Sequence, residues 1–168
     1  MKKNIVLIGF MGAGKTGVSL YLAKILKRRR ISTDETIEHR EKRSVARIFQ
    51  DSGEEYFRRL EKEIVNELAD KKNLIIDCGG GIALRQENLD QLKKNGTIFY
   101  LSTSPEVIFQ RVKMHAHRPL LNVSDPQKKI RDMLKNRKSY YEQADYTIDT
   151  DHKSVEQTAK EVLLILQG

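Results

Sequence analysis

Residues 5–16 read IVLIGFMGAGKT, and this stretch decides the fold. Its apolar start predicts a buried strand, and Gly9 to Thr16 match G-x-x-x-x-G-K-[ST], the phosphate-binding P-loop. The glycines let the backbone curl so that successive N–H groups point inward at a phosphate. A helix that begins near Gly14 adds the positive end of its dipole. The stretch therefore predicts a strand, a nucleotide-binding loop and a helix, in that order.

The side chains of the P-loop have separate expected tasks. Lys15 reaches the β- and γ-phosphates of the nucleotide, and the Thr16 hydroxyl can ligate Mg²⁺. The alternative is a glycine-rich turn that matches the pattern by chance, but the flanking strand and helix favour nucleotide binding. We therefore expect ATP to contact the loop residues Gly12, Ala13, Gly14, Lys15, Thr16 and Gly17.

Composition limits the class of protein. A length of 168 residues predicts one domain, 1–168, with a core of its own. Cys78 is the one cysteine, which excludes an intrachain disulfide and fits a reducing cytoplasm. No apolar run is long enough to span a membrane, so we expect a cytoplasmic protein with no membrane partner.

The formal net charge of +8 raises the question of an anionic partner. The excess is scattered except for the run Lys27-Arg28-Arg29-Arg30, which we interpret as a solvated helix end because basic side chains suit a last helical turn. No DNA- or RNA-binding motif accompanies it, so we expect no nucleic-acid partner. Nucleic-acid binding through residues 27–30 stays as an alternative, and it predicts strongly salt-dependent binding.

Short apolar runs alternate with helical stripes along the chain, which predicts a parallel sheet with helices on both faces. The helix over residues 86–95 is expected to end at Gly96 as a left-handed cap. Because ligands gather at the carboxyl ends of parallel strands, the chemistry should lie in the loops there. The expected strands cover residues 5–8, 31–33, 74–76, 97–101 and 146–148.

Six motifs together resemble the shikimate kinases, small P-loop kinases of the nucleoside-monophosphate-kinase type. They are the P-loop, Asp34 with Ile37-Glu38, the run 57–61 (FRRLE), the glycines 79–81, the run 118–121 (RPLL), and Arg137 with Tyr140 or Tyr141. The resemblance implies a three-layer α/β fold with a central five-stranded parallel sheet in the order 2-3-1-4-5. It also implies two moving parts, a substrate-binding region at about 34–61 and a mobile lid at about 113–125.

The resemblance implies transfer of the γ-phosphate of ATP to the 3-hydroxyl of shikimate. Arg58 and Arg137 match the family's carboxylate-binding positions, where a guanidinium fork can bind bidentately. Asp34 matches the carboxylate that accepts hydrogen bonds from the ring hydroxyls and takes the attacking proton. Gly80 is expected to donate its N–H to the substrate, and Glu61 to orient Arg58.

The resemblance also implies residues that act on the nucleotide. Lys15, Asp34 and Arg118 are the expected catalytic residues, with Arg118 as the lid arginine that stabilises the transferring phosphoryl group. Arg111 resembles the residue that stacks on adenine, and the opposite wall is expected near residues 152–155. Phe49 and Phe57 either pack against the substrate ring or belong to the core.

One position departs from the family. The family shows Asp-x-Asp at the end of the second strand, whereas this chain has Ser32-Thr33-Asp34. The missing aspartate helps to hold Mg²⁺ in the family. Our hypothesis is that Asp77, at the end of the third strand, supplies this carboxylate and works with Thr16, because Mg²⁺ needs few protein carboxylates. The rival interpretation is a weakened magnesium site.

Two other functions stay open at this point. The first is a kinase for another small hydroxy acid, such as gluconate. The second is a nucleotide-binding module without catalysis, which the serine at position 32 keeps in view. For the main prediction the partners are small molecules, ATP with Mg²⁺ and shikimate, and the expected oligomeric state is a monomer.

Overall fold

Five parallel strands form the central sheet, in the order β2-β3-β1-β4-β5. The computed structural model describes residues 3–114 and 123–168. The expected sheet and its order 2-3-1-4-5 are confirmed. The strands are β1 (Asn4–Ile8), β2 (Arg30–Ser32), β3 (Ile75–Asp77), β4 (Gly96–Ser102) and β5 (Tyr146–Asp149).

One or two helices follow each strand, as parallel connections require. Several begin at the side-chain caps that the sequence predicts, and Ser154 forms a reciprocal capping box with Gln157. The helices are α1 (Lys15–Leu26), α2 (Thr33–Glu41), α3 (Val45–Ala69), α4 (Gln86–Asn95), α5 (Pro105–Lys113), α6 (Pro126–Tyr141) and α7 (Val155–Ile165).

Side chains of β1 divide the core into two layers because successive residues of a strand point to opposite faces. Val6 and Ile8 belong to the larger apolar cluster, which packs under α3, α4, α5 and α6. Ile5 and Leu7 belong to the smaller cluster, under α1 and α7. The sheet is therefore buried on both faces, and its loops carry the accessible chemistry.

The predicted role of Gly96 is wrong. Its backbone is extended, with φ −129° and ψ 159°, and it begins β4 directly after α4 rather than capping that helix in the left-handed region. The reason for glycine is space, because a Cβ there would lie 2.6 Å from the carbonyl oxygen of Leu92 and 2.8 Å from Cγ2 of Val6. Close packing of α4 against the sheet selects this residue.

Gly53 marks a break in α3. Gly53 has φ 81° and ψ 170° and interrupts the long α3 between its two helical parts. Nothing would contact a Cβ there, so backbone conformation alone explains the glycine. Among the helices in residues 3–114 and 123–168, none combines the length and the apolar composition needed to cross a bilayer.

Candidate active site

The P-loop forms one wall of a cavity of about 980 Å³ at the carboxyl ends of the strands. Gly12 (φ 78°) and Gly14 (φ 90°) lie in the left-handed region, which explains both glycines. Gly14 also precedes α1 without a side-chain cap, so the first amides of α1 can bind a phosphate. Nζ of Lys15 donates to the carbonyls of Gly9 (2.8 Å) and Phe10 (3.0 Å), across the loop.

Arg111 lies at the end of the cavity where a nucleotide base is expected. Its guanidinium donates to the carbonyl oxygens of Gly12 and Thr150, at 3.1 Å each. Lys153, Ser154 and Val155 line the same cavity. The loop after β5 therefore provides the second wall in the region where the sequence predicted it, and the stacking role of Arg111 stays a prediction.

Asp34 stands at the other end of the cavity, in the first turn of α2. Ser32 caps that helix by accepting from the amide of Glu35 at 3.3 Å, so the serine has a structural task of its own. Burial raises the pKa of Asp34, against the lowering effect of the Lys15 ammonium. Among the described residues, no hydrogen-bond donor reaches the buried Oδ1 atom of Asp34.

The three glycines after β3 make room for the side chains of α2 and α3. A Cβ on Gly79 would overlap Oδ1 of Asp34, and a Cβ on Gly81 would overlap the guanidinium of Arg58. At Gly80 the nearest atom would be 3.6 Å away, which is ordinary contact. Thr33 fixes the run by accepting from the amide of Gly79 at 2.8 Å. Gly79 and Gly81 are thus explained by close approach.

Arg58 is held in place by a buried ion pair within α3. Its Nη1 atom donates to Oε2 of Glu61 at 2.6 Å, and the side chains are 11% and 1% exposed. The rings of Phe49 and Phe57 lie 4.8 Å apart, with the guanidinium within 6.0 Å of both. Glu61 therefore orients Arg58 as expected, and both phenylalanines pack at the site.

Arg137 lies on α6, against the Phe10 side chain of the P-loop. Its Cζ atom lies 5.4 Å from the centre of the Phe10 ring. Tyr141, one turn later, is buried and donates its hydroxyl to the carbonyl of Gly80 at 2.6 Å. Burial raises the pKa of Tyr141, and the charges of both Arg137 and Arg58 oppose this rise. The two arginines thus flank one region, next to the cavity that Asp34 and Gly80 line.

The interpretation of residues 27–30 as a solvated helix end is wrong for Arg30. This residue begins β2, its side chain is 12% exposed, and Nη2 donates to Oδ2 of Asp77 at 2.7 Å. Ser19 of α1 donates to the same Oδ2 at 3.1 Å and accepts from Nε of Arg30 at 2.8 Å. Pairing with Asp77 of the neighbouring strand and with Ser19 of α1, rather than solvation, decides the position of this arginine.

The residues expected to hold Mg²⁺ border the cavity together. Thr16 is exposed at the P-loop, and Asp77 lies on the cavity floor. No cluster of three or more His, Cys, Asp and Glu side chains suited to a metal occurs in the described part of the chain. Mg²⁺ binds through one or two protein oxygens, substrate phosphates and several waters. A hydroxyl and one carboxylate therefore fit this metal.

Two groups of residues remain: those of the expected lid, and those whose roles the sequence did not predict. Arg118 and most of the expected lid lie outside the described residues. Arg30, Thr33 and Tyr141 have roles that the sequence analysis missed or left open. The pairing of Arg30 follows from the β2–β3 register, in which Ser32 pairs with Asp77 and Arg30 shares the face of Ser32, and the local sequence carries no signal for that register.

The family model for shikimate kinase matches residues 11–167. The chain belongs to the shikimate kinase family. The shikimate kinase of Caldanaerobacter subterraneus subsp. tengcongensis is 48% identical over 96% of this chain and 94% of that protein. The shikimate kinase of Thermodesulfovibrio yellowstonii is 44% identical over 96% and 93%.

Solved structures agree with the sequence relatives. Shikimate kinase from Acinetobacter baumannii in complex with shikimate superposes with a TM-score of 0.93 at 39% identity, over 99% of this chain and 94% of that one. A gluconokinase from Sinorhizobium meliloti reaches a TM-score of 0.63 at 18% identity, over 98% and 91%. The latter likeness shows the fold alone. The shikimate kinase family thus matches this chain in both sequence and structure.

Proposed function

We infer that the protein is an ATP-dependent kinase that transfers the γ-phosphate of ATP to the 3-hydroxyl of shikimate, a step of aromatic amino-acid and chorismate biosynthesis. The products are shikimate 3-phosphate and ADP. The observation that carries this function is the buried Asp34 oxygen without a protein donor, between the P-loop cavity and the Arg58–Glu61 pair. A hydroxylated acid supplies the two groups that this region needs, a hydroxyl for Asp34 and a carboxylate for Arg58.

In the proposed mechanism, the P-loop amides and Lys15 bind the phosphates of ATP. The carboxylate of shikimate binds Arg58 and Arg137, which places the 3-hydroxyl beside Asp34. The hydroxyl oxygen attacks the γ-phosphorus and the bond to the β–γ bridging oxygen breaks, while Asp34 takes the hydroxyl proton. Positioning and positive charge supply most of the catalysis in this class of reaction.

Three further assignments belong to this proposal. Gly80 donates its N–H to the acceptor, Arg111 stacks on the adenine, and Arg118 stabilises the transferring phosphoryl group. We also propose that the region at about 34–61 and the lid at about 113–125 close over the substrates, so that water is excluded. A cytoplasmic location, a monomeric state and the absence of a nucleic-acid partner complete the proposal. Size-exclusion chromatography tests the oligomeric state.

We propose that Thr16 and Asp77 hold Mg²⁺ with the phosphates of ATP. When bound, the metal would neutralise the charge that develops on the phosphates. Arg30 and Ser19 support this assignment because they fix the Asp77 carboxylate through its Oδ2 atom. The family's missing aspartate at position 32 would then be replaced from the neighbouring strand.

An acceptor panel tests the function. ADP release is coupled to a spectroscopic readout, with shikimate and gluconate as rival acceptors. Turnover with shikimate supports the proposal, and turnover with gluconate alone contradicts it. Binding of ATP without turnover of either acceptor would indicate a nucleotide-binding module.

A second experiment tests the magnesium assignment. Asp77→Asn and Ser32→Asp are assayed across a Mg²⁺ titration, and ADP binding is measured with and without Mg²⁺. We expect Asp77→Asn to raise the Mg²⁺ concentration at half-maximal rate and to abolish the effect of Mg²⁺ on ADP affinity. If both measurements stay unchanged, Asp77 does not replace the missing aspartate.

A further inference from the structure

Two buried carboxylate oxygens lack a hydrogen-bond partner among the described residues: Oδ1 of Asp34 and Oε1 of Glu61. Leaving a buried polar atom unpaired costs about 1–3 kcal/mol, so native structures rarely keep such atoms without a reason. The acceptor hydroxyl explains the atom on Asp34. It does not explain the atom on Glu61, whose other oxygen already binds Arg58 at 2.6 Å.

Both oxygens face the same point of the backbone. A Cβ on Gly79 would overlap Oδ1 of Asp34 and would lie 3.2 Å from Oε1 of Glu61. The two carboxyl groups therefore approach each other from α2 and α3 across the glycine. Glu61 is 1% exposed, so solvent does not separate them.

Ionising both of two neighbouring buried carboxyl groups costs much free energy. The pKa of Glu61 is raised to about 7, chiefly by burial and to a smaller extent by the charge of Asp34, while Arg58 on its own helix and Arg85 oppose the rise. Burial also raises the pKa of Asp34. The charges of Asp77 and Glu38 add to that rise, while Lys15 and Arg58 oppose it. Lys15 therefore favours Asp34 as the ionised member of the pair.

We propose that Glu61 carries a proton on the side of Asp34, and that binding of the acceptor fixes this proton in place. Glu61 is then a positioning residue for Asp34 as well as for Arg58. The proton stays on Glu61 during phosphoryl transfer, and the proton of the attacking hydroxyl goes to Asp34. The effect of the acceptor in this inference rests on the proposed function, because it needs an acceptor whose carboxylate binds Arg58.

Binding of the acceptor favours the protonated state of Glu61 for an electrostatic reason. Its carboxylate offsets the positive charge of Arg58, the main charge that favours ionised Glu61. Glu61 therefore takes up a proton when the acceptor binds near neutral pH. Because binding and proton uptake are linked, affinity must fall as the pH rises above the titration of the unliganded enzyme. For one pKa unit of coupling, which changes affinity tenfold over the whole titration, we expect the Kd for shikimate to rise about fivefold from pH 6 to pH 8.

Calorimetry with shikimate tests the linkage. Binding heats are measured at pH 7 in buffers of different ionisation enthalpy, and Kd values at pH 6 and 8, for the wild type, Glu61→Gln and Glu54→Gln. Glutamine at 61 keeps an oxygen for Arg58 and places an N–H where the proposed proton lies. Glu54 is the matched control because it pairs with the same guanidinium at 2.9 Å but is 63% exposed.

The wild type and Glu54→Gln are expected to take up part of a proton and to show the roughly fivefold change in Kd. Glu61→Gln is expected to take up none, with a Kd ratio near one. A wild type that binds shikimate without proton uptake overturns the inference, and so does a Glu61→Gln variant that keeps the uptake. A role of Glu61 limited to its ion pair with Arg58 would give a pH-independent wild type.

Thermal unfolding without ligands separates the inference from the proposed function. A carboxyl with a raised pKa in the folded state binds more protons there than in the unfolded chain, so it lowers stability as the pH rises. The Tm of Glu61→Gln minus that of the wild type should therefore increase from pH 5 to pH 8. A constant difference contradicts the proton on Glu61. An increasing difference in an enzyme that does not bind shikimate would contradict the proposed function and leave the proton on Glu61 standing.

Discussion

The two ends of the active site use different kinds of chemical group. At the nucleotide end, backbone groups dominate: glycines in the left-handed region, amides at the start of α1, and carbonyls that bind Lys15. At the acceptor end, buried charged side chains dominate, namely Arg58 with Glu61, and Asp34; the pair of Arg30 with Asp77, beside the expected magnesium site, is of the same kind. A site made of backbone groups depends on the spacing of glycines in the sequence. A site made of charged side chains depends on which charges the fold buries together. The first kind can be recognised in a sequence, and the second must be found in the structure.

Removing the one essential charge of the nucleotide end should have the largest effect. Lys15→Met takes the ammonium from the loop, where it binds two carbonyls and lies beside the expected phosphates. Loss of a preorganised charge of this kind lowers kcat by about 10³-fold. Steady-state kinetics with the coupled assay measures this, with the exposed Lys24 of the same helix changed to methionine as the control. A loss below tenfold would show that the backbone suffices at this end.

Breaking the buried pair of Arg30 and Asp77 tests how strongly buried charge pairs, in contrast to backbone groups, hold the site together. Arg30→Met leaves Asp77 buried at 6% exposure with Ser19 as the donor that remains. Removing one partner of a buried pair lowers the free energy of unfolding by about 3–5 kcal/mol. Urea unfolding measures this change, with Arg29→Met, at an exposed neighbour, as the control.

Adding Asp77→Asn should restore part of that loss, since no buried charge then stays unpaired; the other partner of Arg30, Glu35, is 62% exposed. If instead the two losses add, the pair does not act as a unit, and the contrast between the two ends of the site becomes weaker.

Alanine substitutions in the glycine run test whether the position of Arg58 requires a glycine at residue 81. Gly81→Ala places a methyl group where the guanidinium of Arg58 lies, whereas Gly80→Ala finds its nearest atom at 3.6 Å. A displaced charged hydrogen bond costs about 1.5–3 kcal/mol, so the KM for shikimate should rise about 10–100-fold in Gly81→Ala.

The nucleotide end provides the control for that experiment. The KM for ATP should change less than about twofold in Gly81→Ala, and the Gly80→Ala variant should show the smaller rise in the KM for shikimate, because its methyl group meets no side chain. Equal effects of the two alanines on the KM for shikimate would mean that close approach to Arg58 is not what requires Gly81.

The smallest effect is expected for an ion pair outside both ends of the site. Arg40 of α2 and Glu67 of α3 form a bidentate pair, but their side chains are 43% and 47% exposed. Solvent screening limits such a pair to about 0.5 kcal/mol. Urea unfolding of Arg40→Gln should therefore give a nearly unchanged midpoint. A loss as large as that of Arg30→Met would show that burial does not distinguish the two pairs.

Much of this protein could be predicted because its local signals are strong. The P-loop spacing fixed the first strand, the loop and α1, and the family resemblance supplied the sheet order 2-3-1-4-5. The helix caps at Ser44, Ser104 and Ser154 are local features of the same kind, since a cap depends on a few neighbouring residues. Where a residue acts on its own helix, as Glu61 acts on Arg58, the prediction also agrees with the structure.

The errors share one cause, which is contact between distant segments. Gly96 was expected to be a helix cap, but packing against Val6 and Leu92 requires the glycine in an extended strand. Arg30 was placed in a solvated run, but the parallel register of β2 and β3 brings it to Asp77. Neither the lack of space for a Cβ at Gly96 nor the partner of Arg30 can be inferred from residues that neighbour them in the sequence.

The sequence by itself determined a nucleotide-binding P-loop in an α/β fold, because glycine spacing acts through local backbone geometry, while the acceptor followed from the resemblance of six ordered motifs to the shikimate kinases. Only the tertiary structure decided how charged side chains from distant segments pair. It brought Arg30 to Asp77, and it placed the unpaired oxygens of Asp34 and Glu61 on the two sides of Gly79. The physical reason is that the energy of a buried charge depends on neighbours that are far apart in the chain.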